Sequence, residues 1–215
     1  MPSRCCGGVA FDQMEAAERA LYVELRRRGL DERVLQAMAR VPRALFAPGL
    51  EPSRAYVNEP LPLPDGQTIS QPLVVARMVE LLDLHGGERV LDVGSGSGWH
   101  AAVIAQLAME VWAIERHASL VALARENLAR AGVGNVTVLH GDGTCGWPAQ
   151  APFDAINVAA GARGEVPPAL EEQLADGGRL VAPVDDRLVV EHRRGRVIER
   201  QSLEGVRFVP LIGAS

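Results

Sequence analysis

Residues 89–98 read RVLDVGSGSG. A short apolar run ends in three alternating glycines, and the WHAAVIAQLA that follows has helical character. A buried strand entering a glycine turn and then a helix is the opening of a nucleotide-type α/β unit. Downstream the rhythm repeats. VWAIE (111–115) reads as a strand, SLVALARENLARAG (119–132) as a helix, VTVLHGDG (136–143) as a third strand and FDAINVAA (153–160) as a fourth. PPALEEQLADGG (167–178) reads as a helix with a glycine stop, and RLVAPV (179–184) as a strand. Strands alternating with helices imply parallel pairing covered on both faces, because parallel strands need crossover connections. The stretch from Asp186 to Leu211 alternates apolar and polar residues around Arg194-Gly195, which predicts antiparallel strands closing one sheet edge.

Upstream, Val75, Met78, Val79 and Leu82 recur on one helical face. Residues 12–40 predict two helices broken at Gly29, the second entered through Asp31. Between these, Pro48 to Pro64 is a turn-rich connector. The expected fold is therefore α/β: a Rossmann-like, doubly wound, mostly parallel sheet with an N-terminal helical extension and antiparallel strands at the C-terminal edge. Residues 1–78 would form the extension and its loop, and 79–215 the core, as one compact unit.

Composition narrows the function. The 215 residues carry a net charge of −5 with both signs interspersed, which offers no electrostatic footprint for nucleic acid. No run approaches a membrane span, and the N-terminal residues lack the apolar core of a secretory signal; a soluble, cytoplasmic protein is expected. All 22 basic residues are Arg, so lysine Schiff bases and P-loop lysines are excluded. Cys5, Cys6 and Cys145 lack metal or redox spacing and are assigned no chemistry; the first two are expected in an N-terminal tail. None of the five histidines, His85, His100, His117, His140 and His192, falls in a convincing catalytic pair, and all are expected on the surface or in loops.

The glycine turn asks for a particular ligand. If Gly94 opened a dinucleotide loop, its third small residue would stand at position 99, which is Trp99. Asp92, two residues before Gly94, would oppose a pyrophosphate but suits a cationic ammonium and sulfonium. S-adenosylmethionine is such a ligand, and Gly94 and Gly96 would let backbone approach its amino-acid end. Glu115 ends the next strand, where a carboxylate can accept both ribose hydroxyls. Asp142 follows the third strand and can accept from an adenine amine, with Gly143 leaving room for the ring. Three acidic ends on successive strands make a binding edge.

With these stand VPRALF (41–46), AYVNEPLPLPDGQTISQP (55–72), GDGTCGW (141–147), APFDAI (151–156), PALEEQLADGGRLVAPV (168–184) and FVPL (208–211). In order and spacing the chain resembles the protein-L-isoaspartate O-methyltransferases. The glycine turn is shared by many methyltransferases; GQTIS before it and GDGxxGW after it are much more specific. Several places depart from the pattern: Pro64-Asp65, where the GQTIS loop is expected to bend differently, Asn157, Gly161, Asp185 and the short segment between Val184 and FVPL.

The resemblance implies a GQTIS loop closing over the cofactor, with Ser70 as the active-site residue and Gln67, Thr68, Ile69 and Ser97 among the cofactor contacts. Thr68 or Ser70 would also serve as the N-cap of the helix beginning near Pro72. It implies methyl transfer from S-adenosylmethionine to the free carboxylate of an isoaspartyl residue, with S-adenosyl-L-homocysteine as product. That carboxylate, with a pKa of about 3.5, is ionised at neutral pH and needs no general base. Isoaspartyl proteins or peptides would be the partners, the Pro-rich 56–66 stretch a wall of their groove, and the enzyme a monomer. Two alternatives stay open: a methyltransferase for small carboxylates or hydroxyls, and a non-catalytic relative that binds the cofactor. A nicotinamide dehydrogenase is disfavoured by Asp92 and Trp99.

Overall fold

The computed structural model describes residues 15–213. Cys5 and Cys6 lie outside them. Helix α1 (Ala16–Arg27) buries Leu21, Tyr22 and Leu25, three positions on one face. Gly29 then turns the chain at φ 79°, and Asp31 caps α2 (Glu32–Ala39) as expected, its carboxylate accepting from the Arg33 amide at 2.6 Å. The connector carries a two-stranded antiparallel ribbon, β1 (Leu61–Pro62) and β2 (Thr68–Ile69). Between them Asp65 takes a left-handed conformation (φ 57°).

Helix α3 (Pro72–Leu82) buries Val75, Met78, Val79 and Leu82. Its cap corrects the sequence reading. The N-cap position is Gln71, and neither Thr68 nor Ser70 bonds to the first turn. Pro72 has no amide hydrogen to satisfy, and the Leu73 amide donates to Asn58 Oδ1 at 3.1 Å. The cap arrives from thirteen residues upstream of Gln71, out of reach of any local motif search.

The central sheet contains β3 (Arg89–Val93), β4 (Glu110–Glu115), β5 (Val136–His140), β6 (Phe153–Val158), β7 (Leu174–Val184), β8 (Arg187–Arg194) and β9 (Val197–Gly205). Their spatial order is β5-β4-β3-β6-β7-β8-β9, parallel through β7 and antiparallel beyond it. Helices α4 (Trp99–Ile104), α5 (Ala118–Arg130) and α6 (Pro168–Glu172) complete the fold. The last is shorter than the sequence suggested. LADGG does not stop a helix but opens β7, with a bulge opposite β6 between Phe153 and Ala155; pairing to β6 outcompetes local helical propensity.

Alternate residues of each strand enter different cores. Val90, Val111 and Val138 face α1 through α5. Leu91, Trp112 and Ile156 face α6 and the turns around Trp147. Strand order reverses at β3: the chain first winds outward through β4 and β5, then returns to lay β6 on the other side. At such a switch point the loops part, leaving a crevice beyond the carboxyl ends. Among the described residues, no helix is long and apolar enough to cross a membrane.

Candidate active site

The crevice is real and continuous. Its floor is the Gly94–Ser97 turn, with Ile114, Glu115 and His117 along the end of β4 and Ala159 and Ala160 at the end of β6. Gln67, Thr68, Ile69 and Ser70 form one wall, and Val209 to Ile212 another. That second wall was not assigned from the sequence, although FVPL lies in it. It is held by a bridge to the end of β6: the Gly161 amide donates to Val209 O at 2.7 Å, and the Leu211 amide to Gly161 O at 2.8 Å.

The floor owes its shape to glycine. Gly94, Gly96 and Gly98 all adopt positive φ, between 53° and 87°. A Cβ at Gly98 would also sit 3.2 Å from that of Ala124, so α5 crosses tightly behind the turn. The Gly94 amide donates to Ile114 O at 2.8 Å, which ties the floor to β4.

Of the three strand-end carboxylates, Glu115 alone lines the crevice. Its two oxygens accept from the amides of Gly96 and His117, both at 2.9 Å, and a carboxylate keeps further lone pairs for ligand hydroxyls. Asp92 corrects the picture of an open acidic rim. It is wholly buried, because its register partner across the sheet is Asn157, and Asn157 Nδ2 donates to Asp92 Oδ1 at 2.6 Å. Burial lifts the Asp92 carboxyl to about 7, with the Asn157 hydrogen bond opposing the rise and the Glu115 charge adding to it. Asp142 stands beside the crevice, its Oδ1 accepting from the amide and hydroxyl of Thr144 at 2.9 and 2.7 Å. It thereby caps the turn Gly143–Cys145, and Gly143 is the member of the pair that reaches the lining. A side chain at Gly143 would strike Val93 Cγ1, so the glycine first makes room for the sheet.

One histidine was misplaced by sequence reasoning. His100 is buried in the first turn of α4 and belongs to the crevice lining. Its Nδ1 lies 3.3 Å from Asn157 Nδ2, and burial lowers its pKa to about 3, so it is neutral. Among the described residues, Asp92 Oδ2, Ser95 Oγ, His100 Nε2 and Asn157 Oδ1 all lack a hydrogen-bond partner. Buried polar atoms in native proteins are nearly always paired, and four orphans under one turn mark a place built for more than packing.

Opposite them, Ser70 is half-buried, and its hydroxyl makes no hydrogen bond among the described residues. Its backbone is held by Arg43, a nearly fully buried guanidinium that sequence reasoning left unassigned. Burial lowers the Arg43 pKa to about 10, which leaves it charged at neutral pH.

A mostly parallel sheet with this glycine turn and with Glu115 closing β4 places the chain among the Rossmann-like methyltransferases that use S-adenosylmethionine. A family model described as protein-L-isoaspartate(D-aspartate) O-methyltransferase matches residues 16–215. The chain belongs to that family. A protein-L-isoaspartate O-methyltransferase of Halorhodospira halophila is 50% identical over 219 residues, covering 99% of this chain and 98% of that one. One of Methanoregula boonei is 49% identical over 208 residues, with 94% and 95% covered. Among solved structures, a protein-L-isoaspartate O-methyltransferase superposes with a TM-score of 0.84 at 27% identity, covering 91% of this chain and 66% of that one. A Plasmodium falciparum structure described as a member of the same family, in complex with S-adenosyl-L-homocysteine, gives a TM-score of 0.78 at 28% identity, with 92% and 99% covered.

The residues present suit that cofactor. Asp92 Oδ2 is an orphaned acceptor behind the floor, the glycine turn presents backbone rather than side chain, and Glu115 ends β4 where ribose hydroxyls need an acceptor.

Proposed function

We propose that this chain methylates the free carboxylate of isoaspartyl residues in damaged proteins, using the crevice between the glycine turn and the Gln67–Ser70 wall. One observation carries the reading: the unengaged Ser70 hydroxyl and the Glu115 carboxylate belong to the same crevice, on opposite sides. When bound, S-adenosylmethionine supplies a sulfonium methyl, which the ionised substrate carboxylate accepts, leaving S-adenosyl-L-homocysteine.

The chain's own residues would hold and orient. Glu115 accepts from the ribose, Gly94, Gly96 and Ser97 give backbone to the amino-acid end, and Asp92 offers its free Oδ2 beneath it, where a cationic ligand would favour the ionised carboxylate. Gly143, next to Asp142, borders the adenine side, while Gln67, Thr68 and Ile69 cover the opening. Ser70 donates its hydroxyl to the substrate carboxylate, a charge-assisted hydrogen bond worth about 1.5–3 kcal/mol. No general base is required, so alignment supplies most of the rate, up to about 7–11 kcal/mol in well-oriented systems. A second groove continues outward from Thr68, Ser70 and Val209 along Pro60, Val74 and Phe208, a path suited to an extended, exposed peptide. The ester product then closes to a succinimide, whose hydrolysis returns some normal aspartate. The enzyme would act as a cytoplasmic monomer, which sizing of the purified protein and cell fractionation check.

The test is radiolabelled methyl transfer to an isoaspartyl peptide beside its normal-aspartyl twin. Label on the first alone is expected. Ser70→Ala should fold normally and lower turnover about tenfold to a hundredfold. Equal labelling of the twins, or label only on small acids, would overturn the substrate assignment.

A further inference from the structure

The VPRALF segment is not explained by cofactor or substrate contacts, yet its arginine is the most tightly held cation near the site. Arg43 is 1% exposed. All its hydrogen-bond partners are backbone carbonyls from two separate stretches. Nη1 donates to Ala55 O and to Val57 O (3.3 Å), and Nη2 to Glu59 O (3.1 Å), Ser70 O (3.0 Å) and Ile69 O (3.5 Å). The guanidinium lies over the Trp99 ring, 5.2 Å from its centroid. Trp99 follows directly on the glycine turn, and its Nε1 donates to Val41 O at 3.1 Å. One side chain therefore joins the serine wall of the crevice to the base of its floor.

We infer that Arg43 is a positioning residue for methyl transfer, acting through Ser70. Ile69 O and Ser70 O belong to the two peptide planes that flank the Ser70 Cα. Peptide planes are rigid, so holding both restrains the backbone angles at Ser70 and with them the direction of its Cα–Cβ bond, which limits where the rotamers of the hydroxyl can point. The ribbon that ends just before this serine has only two residues per strand, too few to hold a hydroxyl in place alone. Lysine could not replace the arginine: it has three donors around one point rather than a planar fork of five, and no flat face to lay on Trp99. An arginine serving only as packing would stabilise the whole chain without favouring one step of the reaction.

This inference rests on the reading of Ser70 given above, and a double-mutant cycle separates the two. Arg43→Lys, Ser70→Ala and the double variant are compared in the full-length protein by kcat and KM for an isoaspartyl peptide, and by S-adenosyl-L-homocysteine affinity in calorimetry. Arg43→Lys is expected to lower kcat about tenfold to a hundredfold while leaving the affinity for S-adenosyl-L-homocysteine essentially unchanged. The double variant should be no slower than Ser70→Ala, because both changes remove one function. Multiplying effects would overturn the role of Arg43 while sparing that of Ser70, as would parallel losses of turnover and nucleoside affinity. A wild-type rate in Ser70→Ala would remove Ser70 from the mechanism, and Arg43 with it. If Arg43→Lys does not fold, Trp99→Phe keeps a ring beneath the guanidinium while releasing the Val41 tether; because Trp99 also borders the crevice, S-adenosyl-L-homocysteine affinity is read beside kcat. A smaller kcat loss with that affinity retained, again absent in the Ser70→Ala background, is then expected, and a full loss on top of Ser70→Ala, or a matching loss of affinity, would count against the role.

Discussion

The two sides of the crevice are built in opposite ways. Beneath the glycine turn, β3 and β6 deliver Asp92 and Asn157 and the first turn of α4 delivers His100, and the interior there holds four polar atoms without partners among the described residues. Across the opening, the Thr68–Ser70 wall is a short surface ribbon with little structure of its own, yet Arg43 satisfies its carbonyls. The sheet side is built from regular strands with several polar atoms unpaired; the loop side is locally weak and held from outside by a guanidinium whose own Nε is unpaired among the described residues. On the proposed reading, methyl transfer without a general base depends on alignment, and an electrostatically strained floor for the nucleoside and a tethered Ser70 for the acceptor would divide that task.

Titration offers the largest expected effect and the most direct way to break this contrast. Burial raises Asp92 from 3.8 to about 7, so the native chain keeps a proton that the unfolded chain releases, and this group's stability contribution falls as pH climbs between those values. Burial lowers His100 from 6.5 to about 3. The unfolded chain therefore binds the extra proton, and stability rises with pH across that window. The slopes oppose each other and flatten the wild-type profile between them. Asp92→Asn should leave stability rising toward neutral pH. His100→Gln should leave a fall of roughly 4 kcal/mol between pH 4 and 7. Denaturant midpoints over a pH series measure both, and superimposable profiles for all three proteins would mean that the sheet side stores no such strain.

Gly143→Ala comes next. Its new Cβ would meet Val93 Cγ1 in the strand that carries the floor, which should destabilise the protein by about 1–3 kcal/mol. The sharper expectation is where the damage falls: S-adenosyl-L-homocysteine affinity should drop more than peptide KM, because the clash enters from the sheet side. Thermal melts and calorimetry read the two quantities, and a change confined to peptide KM would blur the division.

The smallest effect concerns the hairpin between β7 and β8. Asp185 and Asp186 both take positive φ, 45° and 60°, in the turn class that matches sheet twist and favours glycine. Asp185 accepts from the Gly164 amide at 3.0 Å and is best left in place. Asp186→Gly should raise stability by under about 1 kcal/mol and leave turnover as it is, despite its place at the outer groove. A fall in turnover on isoaspartyl peptide would show the groove to be more exacting than the wall beside it.

Much of this was legible in order along the chain. The strand RVLDV, its glycine turn, the α1 and α2 break at Gly29 and the hairpin at Gly195 follow from periodicity and turn chemistry, which are local. The cap of α3, the length of α6 and the burial of His100 were not. Each depends on a partner brought in by pairing or packing: Asn58 for the Leu73 amide, β6 for the LADGG stretch, Asn157 for the histidine ring.

By itself, then, the sequence determined a parallel α/β sheet, a nucleoside platform at its carboxyl edge and the family to which GQTIS and GDGTCGW point. Only the tertiary structure decided that Asp92 lies below the floor rather than on its rim, that Arg43 donates to the carbonyls of the serine wall, and that Val209 to Ile212 border the crevice. The reason is distance along the chain. Asp92 and Asn157 are 65 residues apart, and Arg43 and Ser70 are 27. Such pairings are set by strand register and by what a buried guanidinium can reach, and neither leaves a periodic mark in the residues between.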